Sequence, residues 1–566
     1  MDNMETAIDN MSHNISPEEV VKGVLFTRDI AQNRPYYMIV CDEQGLGKTK
    51  WIAKNTTREF LSERCYNLVK TAREIEDTFP ETDAFSIEFT IDVNEKINVI
   101  RYSPLDRVVN MARPTTDKEF ADTKSFAKCG YLDTSHILSD CVFWNPLDKL
   151  GTNPRPLDYS LFRETITNGI WSKAISDMGY TLVDKDVMQK VGNKPYMSVN
   201  YIVEGLMPSS IDGNLGYKLY QYYEKRLKED KRLHAKMEQK LVFNKYDFST
   251  DRQLQELLEY GFTEEELDEL RAGLFDITMY LLQNYKEINK QDEQALDKLK
   301  EIRKDIRAQL PYSETNTMKL YKHIEELLNA TKEFVASQYA RQTRISFVAR
   351  CLCESLVEEE YFEEDVIEEF RDSISTVASE LKRDLKRYSS GKLSKDEFND
   401  LYGHLKSGIF DIRTDCFKRM KFDTEIFSGG FGKEEESIPL EIKYPDKKIL
   451  GDILSNHNIS VSVDDFLDFI VVATRNKDYF KFEFTKTMSL MLDVIVRMGE
   501  ILGIAREDMS YLEIQDLLSY HSRDSYIQII QTRRDMYHMN TYLLLPDIIF
   551  DIGDIDVIEI NRKVKI

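Results

Sequence analysis

Between residues 23 and 101 the apolar side chains fall in short runs or at alternate positions, the pattern of strands in a sheet. Gly23-Val-Leu-Phe-Thr27 and Pro35-Tyr-Tyr-Met-Ile-Val-Cys41 are runs rich in β-formers. Ser86-Ile-Glu-Phe-Thr-Ile91 and Lys96-Ile-Asn-Val-Ile-Arg101 alternate, with Asp92 to Glu95 as a hairpin connection. A helical segment is expected between them, from about Arg58 to Phe79. Residues 145–160, rich in Pro, Gly and Asn, predict an ordered loop.

From about residue 215 the period lengthens to three or four. Tyr217–Phe243, Thr263–Tyr285, Asp292–Leu310 and Thr317–Ala336 each set an apolar stripe between charged positions, as amphipathic helices do. Arg341–Leu356 is more apolar and predicts a core helix, and Glu363–Tyr388 and Lys395–Leu405 continue the helical pattern. Ser428 to Ser437 is a Gly- and Glu-rich linker. Residues 462–503 and 511–537 are helical again, and 541–566 alternate like strands. The pattern predicts an α+β, mostly α-helical chain in three parts: 1–105, 106–427 and 428–566.

Composition narrows the function. There are 99 acidic against 76 basic residues, a net charge of −23, which repels a phosphate backbone and argues against nucleic acid as a partner. No run of about twenty apolar residues is present to span a membrane, and the polar, acidic start has no secretory pattern. A cytoplasmic location is the expectation. The seven cysteines are scattered, and Cys351 and Cys353 form a lone C-x-C without a second pair. Their spacing predicts free thiols in a reducing compartment and no zinc site.

Asp42-Glu-Gln-Gly-Leu-Gly-Lys-Thr49 resembles a nucleotide-binding P-loop. In that reading a strand leads into a turn, and Lys48 and Thr49 open a helix to hold phosphate and Mg²⁺. Asp42 replaces the first glycine of the motif, and no later strand carries a convincing Walker-B acidic pair. The alternative is a polar turn after a strand.

A longer resemblance covers most of the chain. Gly23-Val-Leu-Phe-Thr-Arg-Asp29, Pro35-Tyr-Tyr-Met-Ile-Val40 and Ser86-Ile-Glu-Phe-Thr-Ile-Asp92 resemble the second half of the ATP-grasp domain of phosphoenolpyruvate synthase and pyruvate phosphate dikinase. Downstream, Trp144-Asn-Pro146, Asn153-Pro-Arg-Pro-Leu-Asp-Tyr-Ser-Leu-Phe-Arg163 and Lys194-Pro-Tyr-Met-Ser-Val199 resemble strings of the family's long middle region. Leu401-Tyr-Gly-His-Leu-Lys-Ser-Gly-Ile-Phe-Asp-Ile412, Lys481-Phe-Glu-Phe-Thr485 and Arg506-Glu-Asp-Met-Ser-Tyr-Leu-Glu-Ile514 follow in the same order.

The resemblance implies an ATP-dependent phosphotransferase with ATP and Mg²⁺ as cofactors and a small-molecule phosphoryl acceptor. Glu88 would bind Mg²⁺, and Thr27, Arg28, Asp29, Glu88 and Arg101 would line the nucleotide cleft. Arg155, Arg163, His404 and Asp411 would meet the substrate. Arg155 has the fork to grip an anion, and its alternative is a structural loop arginine. His404 is equally a candidate for ordering a turn. Asp411 and Arg413, either side of Ile412, are also suited to a salt-bridged loop wall.

The family's L-Q-x-R-P-L string is departed from: Arg101 stands for the glutamine, Ser103 for the arginine, and Ser86 for a leading aspartate. None of the eight histidines has the Gly-Gly, Thr/Ser-His setting of the phosphoryl carrier; Thr134-Ser-His136 is nearest. The expectation is therefore a component or fragment, with partner chains supplying the carrier domain and the first half of the ATP-grasp domain. The alternatives are a non-catalytic substrate-binding or regulatory protein of the same descent, and a P-loop ATPase using Lys48 and Thr49.

Overall fold

The structure, a computed structural model, describes residues 19–27, 36–43, 46–53, 63–79, 84–92, 96–104, 136–310, 317–406, 408–419, 441–541 and 545–550. It is mostly helical with two small antiparallel sheets, an α+β chain. The described residues form two compact units: one built on the strands up to Pro104, and one holding the helices from residue 154 onward.

The first unit is a five-stranded antiparallel sheet of order β3-β2-β1-β4-β5. The strands are β1 (Glu19–Phe26), β2 (Tyr36–Glu43), β3 (Leu46–Ala53), β4 (Phe85–Asp92) and β5 (Ile97–Pro104). Helix α1 (Glu63–Thr78) lies between β3 and β4 in the chain. Its Leu68, Val69 and Ala72 join Leu25, Ile39, Ile87 and Phe89 in one apolar core. The alternation read in residues 86–91 thus buries one face of β4. Gly23 is needed where β1 is hemmed in: a Cβ there would meet the Phe89 ring at 2.6 Å and the Val40 carbonyl oxygen at 2.7 Å.

One expectation fails in this unit. Lys48 and Thr49 open no helix; they lie within β3, paired with Cys41 and Val40 of β2. Only Gln44 and Gly45 separate the two strands. Leu46 to Thr49 lie on a strand paired antiparallel with β2, so Lys48 and Thr49 do not have the helix-opening geometry that points backbone amides at a phosphate.

In the second unit a small sheet of order β7-β8-β6-β9 joins β6 (Leu138–Ser139), β7 (Met188–Val191), β8 (Lys194–Ser198) and β9 (Ile548–Ile549). The helices that build its body are α2 (Pro156–Phe162), α3 (Gly213–Glu229), α4 (Glu264–Gln309), α5 (Thr317–Thr331), α6 (Ser337–Glu358), α7 (Val463–Leu502) and α8 (Arg523–Asn540). α7 packs along α5 and α6, and its Phe480, Phe484, Met488 and Met491 are buried in the shared core.

The elements differ from the expectation in several places: residues 145–160, expected as a loop, hold the short helix Pro146–Leu150 and α2, and of 217–243 only the part up to Glu229 is one helix, α3, with the turns Lys231–Lys236 and Met237–Lys240 after it. Residues 263–285 and 292–310 are one helix of 46 residues, α4. Residues 286–291 hold no Gly or Pro to break it, and a Thr263/Glu266 capping box starts it. Residues 363–388 divide into Glu364–Asp372 and Val377–Ser389, with the Thr376 hydroxyl capping the second. Residues 511–537 hold a single turn, Ile514–Leu517, before α8. Of the strand-like tail, only Ile548–Ile549 is a strand among the described residues, and 551–566 lie outside them.

Candidate functional site

The nucleotide-type residues of the sheet unit sit on one strand pair. Glu88 on β4 faces Arg101 on the edge strand β5, and the two side chains meet at 2.5 Å. Beside them the Ser86 and Ser103 hydroxyls lie 3.0 Å apart. The departures from the family's string thus pair with one another: the carboxylate expected to hold Mg²⁺ holds a guanidinium. Arg101 is 69% exposed, so solvent screens this pair. Thr27 is buried, and its hydroxyl accepts the Phe85 amide at 2.8 Å, closing the end of β1 against β4. Arg28 and Asp29 lie outside the described residues.

The helical unit gathers charge more deeply. Three strings far apart in the chain meet around Asp158, in the first turn of α2. Arg155 precedes the helix in extended conformation, with Pro156 at its first position. Its guanidinium lies between the rings of Tyr511 and Tyr537, 4.3 Å from each centroid, and reaches Glu507 at 2.7 Å. The Leu157 amide donates to the Ser510 carbonyl, and the Ile514 amide to the Ser160 hydroxyl, fixing α2 against residues 506–514. From the other side, Phe410 packs edge-on against Phe162. Arg506 in turn reaches back to Asp415 at 2.6 Å and to the Thr414 carbonyl at 2.9 Å.

Electrostatics at this junction are unequal. Asp158 is pushed up to about 8, first by burial and then by the charge of Asp411; Arg413 and Lys406 offset only part of this. Among the described residues its Oδ1 has no hydrogen-bond partner, and neither does Arg155 Nε. Burial also pushes Asp411 up, but Arg413 outweighs it with two hydrogen bonds of 2.9 Å and holds the carboxyl below its usual range. Lys406 donates to the Asp411 carbonyl at 2.7 Å, and burial lowers it to about 8. On the outer side Lys406, Arg506 and Arg419 line a solvent-open crevice with Asp493. Asp493 meets Arg419 at 2.7 Å and Asp415 meets Arg506 at 2.6 Å, so carboxylates offset part of the positive charge on this wall.

Of the residues expected to meet substrate, Arg155 and Asp411 therefore belong to one cluster. Asp411 and Arg413 form the salt-bridged wall that their spacing suggested. Arg163 is elsewhere engaged: it pairs with Asp186, and its neighbour Glu164 takes Lys332 at 2.6 Å. His404 packs edge-on against Phe482, and burial, with Lys486 beside it, lowers it to about 3. Its charged neighbours are Glu483, Lys486, Arg303 and Arg307, a different set from those around Asp158. A neutral imidazole there has little hold on an anion. Sequence reasoning missed Asp158, Lys406, Arg419, Arg506, Tyr511 and Tyr537. All but Arg419 and Tyr537 lie inside the resembling strings, which were the available signal for the other four.

No family model matches this chain, and no curated protein matches it. Among the described residues no helix is long and apolar enough to cross a membrane.

Proposed function

We propose that this chain is the substrate-binding component of a phosphoenolpyruvate-synthase-like phosphotransferase. In this reading the helical unit holds a small phosphorylated or carboxylated molecule in the crevice of Lys406, Arg419 and Arg506. The phosphohistidine carrier and the rest of the ATP-Mg²⁺ site come from polypeptide outside these 566 residues. One observation carries the reading: the family-like strings at 153–163, 401–412 and 506–514 meet around one buried carboxyl.

Calorimetric titration of phosphoenolpyruvate into the full chain tests this. The expected result is binding that weakens at least about tenfold in Lys406→Ala, the loss of one charge-assisted contact. A wild-type chain that releases no heat, or a variant that binds as tightly, sinks the reading.

A second reading, a non-catalytic binding protein of the same descent, is favoured by the Glu88–Arg101 pair, which occupies the carboxylate that Mg²⁺ would use. Mg²⁺-ATP binding by the chain that disappears in Glu88→Ala would count against it.

A further inference from the structure

A second cluster lies in the helical unit, apart from the residues discussed so far. Asp140 and Cys141 directly follow β6. His234 is in the short 3-10 turn Lys231–Lys236 that follows α3. One donor atom from each of the three lies within 4.8 Å of the other two. The Cys141 sulfur is 3.3 Å from His234 Nδ1, and the Ser139 hydroxyl is 2.9 Å from the same nitrogen.

From these residues we propose a zinc site held by Cys141, His234 and Asp140. Sulfur, imidazole nitrogen and carboxylate oxygen are the donors Zn²⁺ takes, and three protein ligands leave a fourth position for water. In a tetrahedral site the sulfur and nitrogen stand roughly 3.6 Å apart, given bonds of about 2.3 and 2.0 Å, so the observed spacing needs little adjustment. Lys194 meets Asp140 Oδ2 at 2.7 Å, so a bound ion would share this carboxylate with the ammonium or displace it. Cys141 and His234 are both half-buried, which leaves an ion a way in.

The bound ion would tie the start of this unit's small sheet to the turn after α3. Spacing could not reveal such a site, because its cysteine and histidine are 93 positions apart.

The test is Co²⁺ titration into the full chain after chelator treatment. The expected result is a sulfur-to-cobalt charge-transfer band that saturates at one equivalent, is displaced by Zn²⁺, and is lost in both Cys141→Ser and His234→Ala. No band, or a band that survives Cys141→Ser, overturns the site. A measurement on the wild type guards against variants that fold poorly: Zn²⁺ is expected to slow iodoacetamide alkylation of Cys141 at least about tenfold, because the bound thiolate is no longer a free nucleophile. An unchanged rate of alkylation at Cys141 overturns the proposal equally.

Discussion

Glu88 in the sheet unit and Asp158 in the helical unit are carboxyls set in family-like strings, and their surroundings treat them in opposite ways. Glu88 stands on a sheet face beside an edge strand, its charge met across the strand pair by a guanidinium that is itself mostly in water. Asp158 is buried at the junction of three segments and has one oxygen without a hydrogen-bond partner among the described residues. The difference teaches that resemblance at the level of a string says little about the state of a charge. An exposed carboxylate can exchange one cation for another at small cost. A buried one must be paired or stay protonated, so its neighbours are fixed by the fold.

The largest effect expected from breaking this contrast is at a buried pair of the helical unit. Arg303 and Glu483 are 7% and 4% exposed, and Arg303 also donates to the Glu483 carbonyl at 2.9 Å. Arg303→Ala leaves the buried Glu483 with Lys486 alone, at 2.8 Å, and is expected to cost about 2–3 kcal/mol of unfolding free energy, read from the urea midpoint. A loss below about 1 kcal/mol would mean that Lys486 and water suffice for Glu483 and that burial does not separate the two classes.

A smaller effect is expected at Asp158 and takes the form of a pH slope. Its folded pKa, about 8, lies above the value of about 4 that an unfolded aspartate has. Between the two the folded chain keeps a proton that the unfolded chain has lost, so stability falls as pH rises. Thermal unfolding of the wild type is expected to lose up to roughly 1.4 kcal/mol per pH unit, relative to Asp158→Asn, between about pH 5 and 7, fading as pH passes about 8. Above that window the lowered Lys406 acts with the opposite sign. Parallel curves for the two proteins would place Asp158 in contact with solvent.

The smallest effect is expected at the strand pair. Glu88→Ala should change stability by less than about 1 kcal/mol, and the change should shrink further in 1 M salt. A larger, salt-resistant loss would show that Glu88 is held as firmly as the buried carboxyls.

How far the sequence disclosed the molecule depends on the range of the interaction involved. Alternation at 86–91 marked β4 because its two faces differ locally in burial. Helical periodicity located α7 to within a residue at each end. The join at 286–291 was missed because a polar stretch there weakens the apolar stripe without weakening the backbone hydrogen bonds. Lys48 and Thr49 were open to misreading because a short glycine-containing string serves a phosphate loop and a paired strand alike. At the site, Arg155 and Asp411 were visible as residue types in proline- and glycine-framed strings. Their partners were not: Arg155 finds Tyr511 across 356 positions, and no local pattern encodes that pairing.

That distance has a consequence during synthesis. α2 leaves the ribosome long before Tyr511 and Tyr537 exist to receive Arg155. All seven residues of α2 are buried in the finished protein. Until residues 506–537 are made, that small helix has no cover from them and is open to chaperones or to the wrong neighbour. The half-life of a nascent chain arrested before residue 511 should therefore reflect an unprotected Pro156–Phe162 more than any weakness in the long helices.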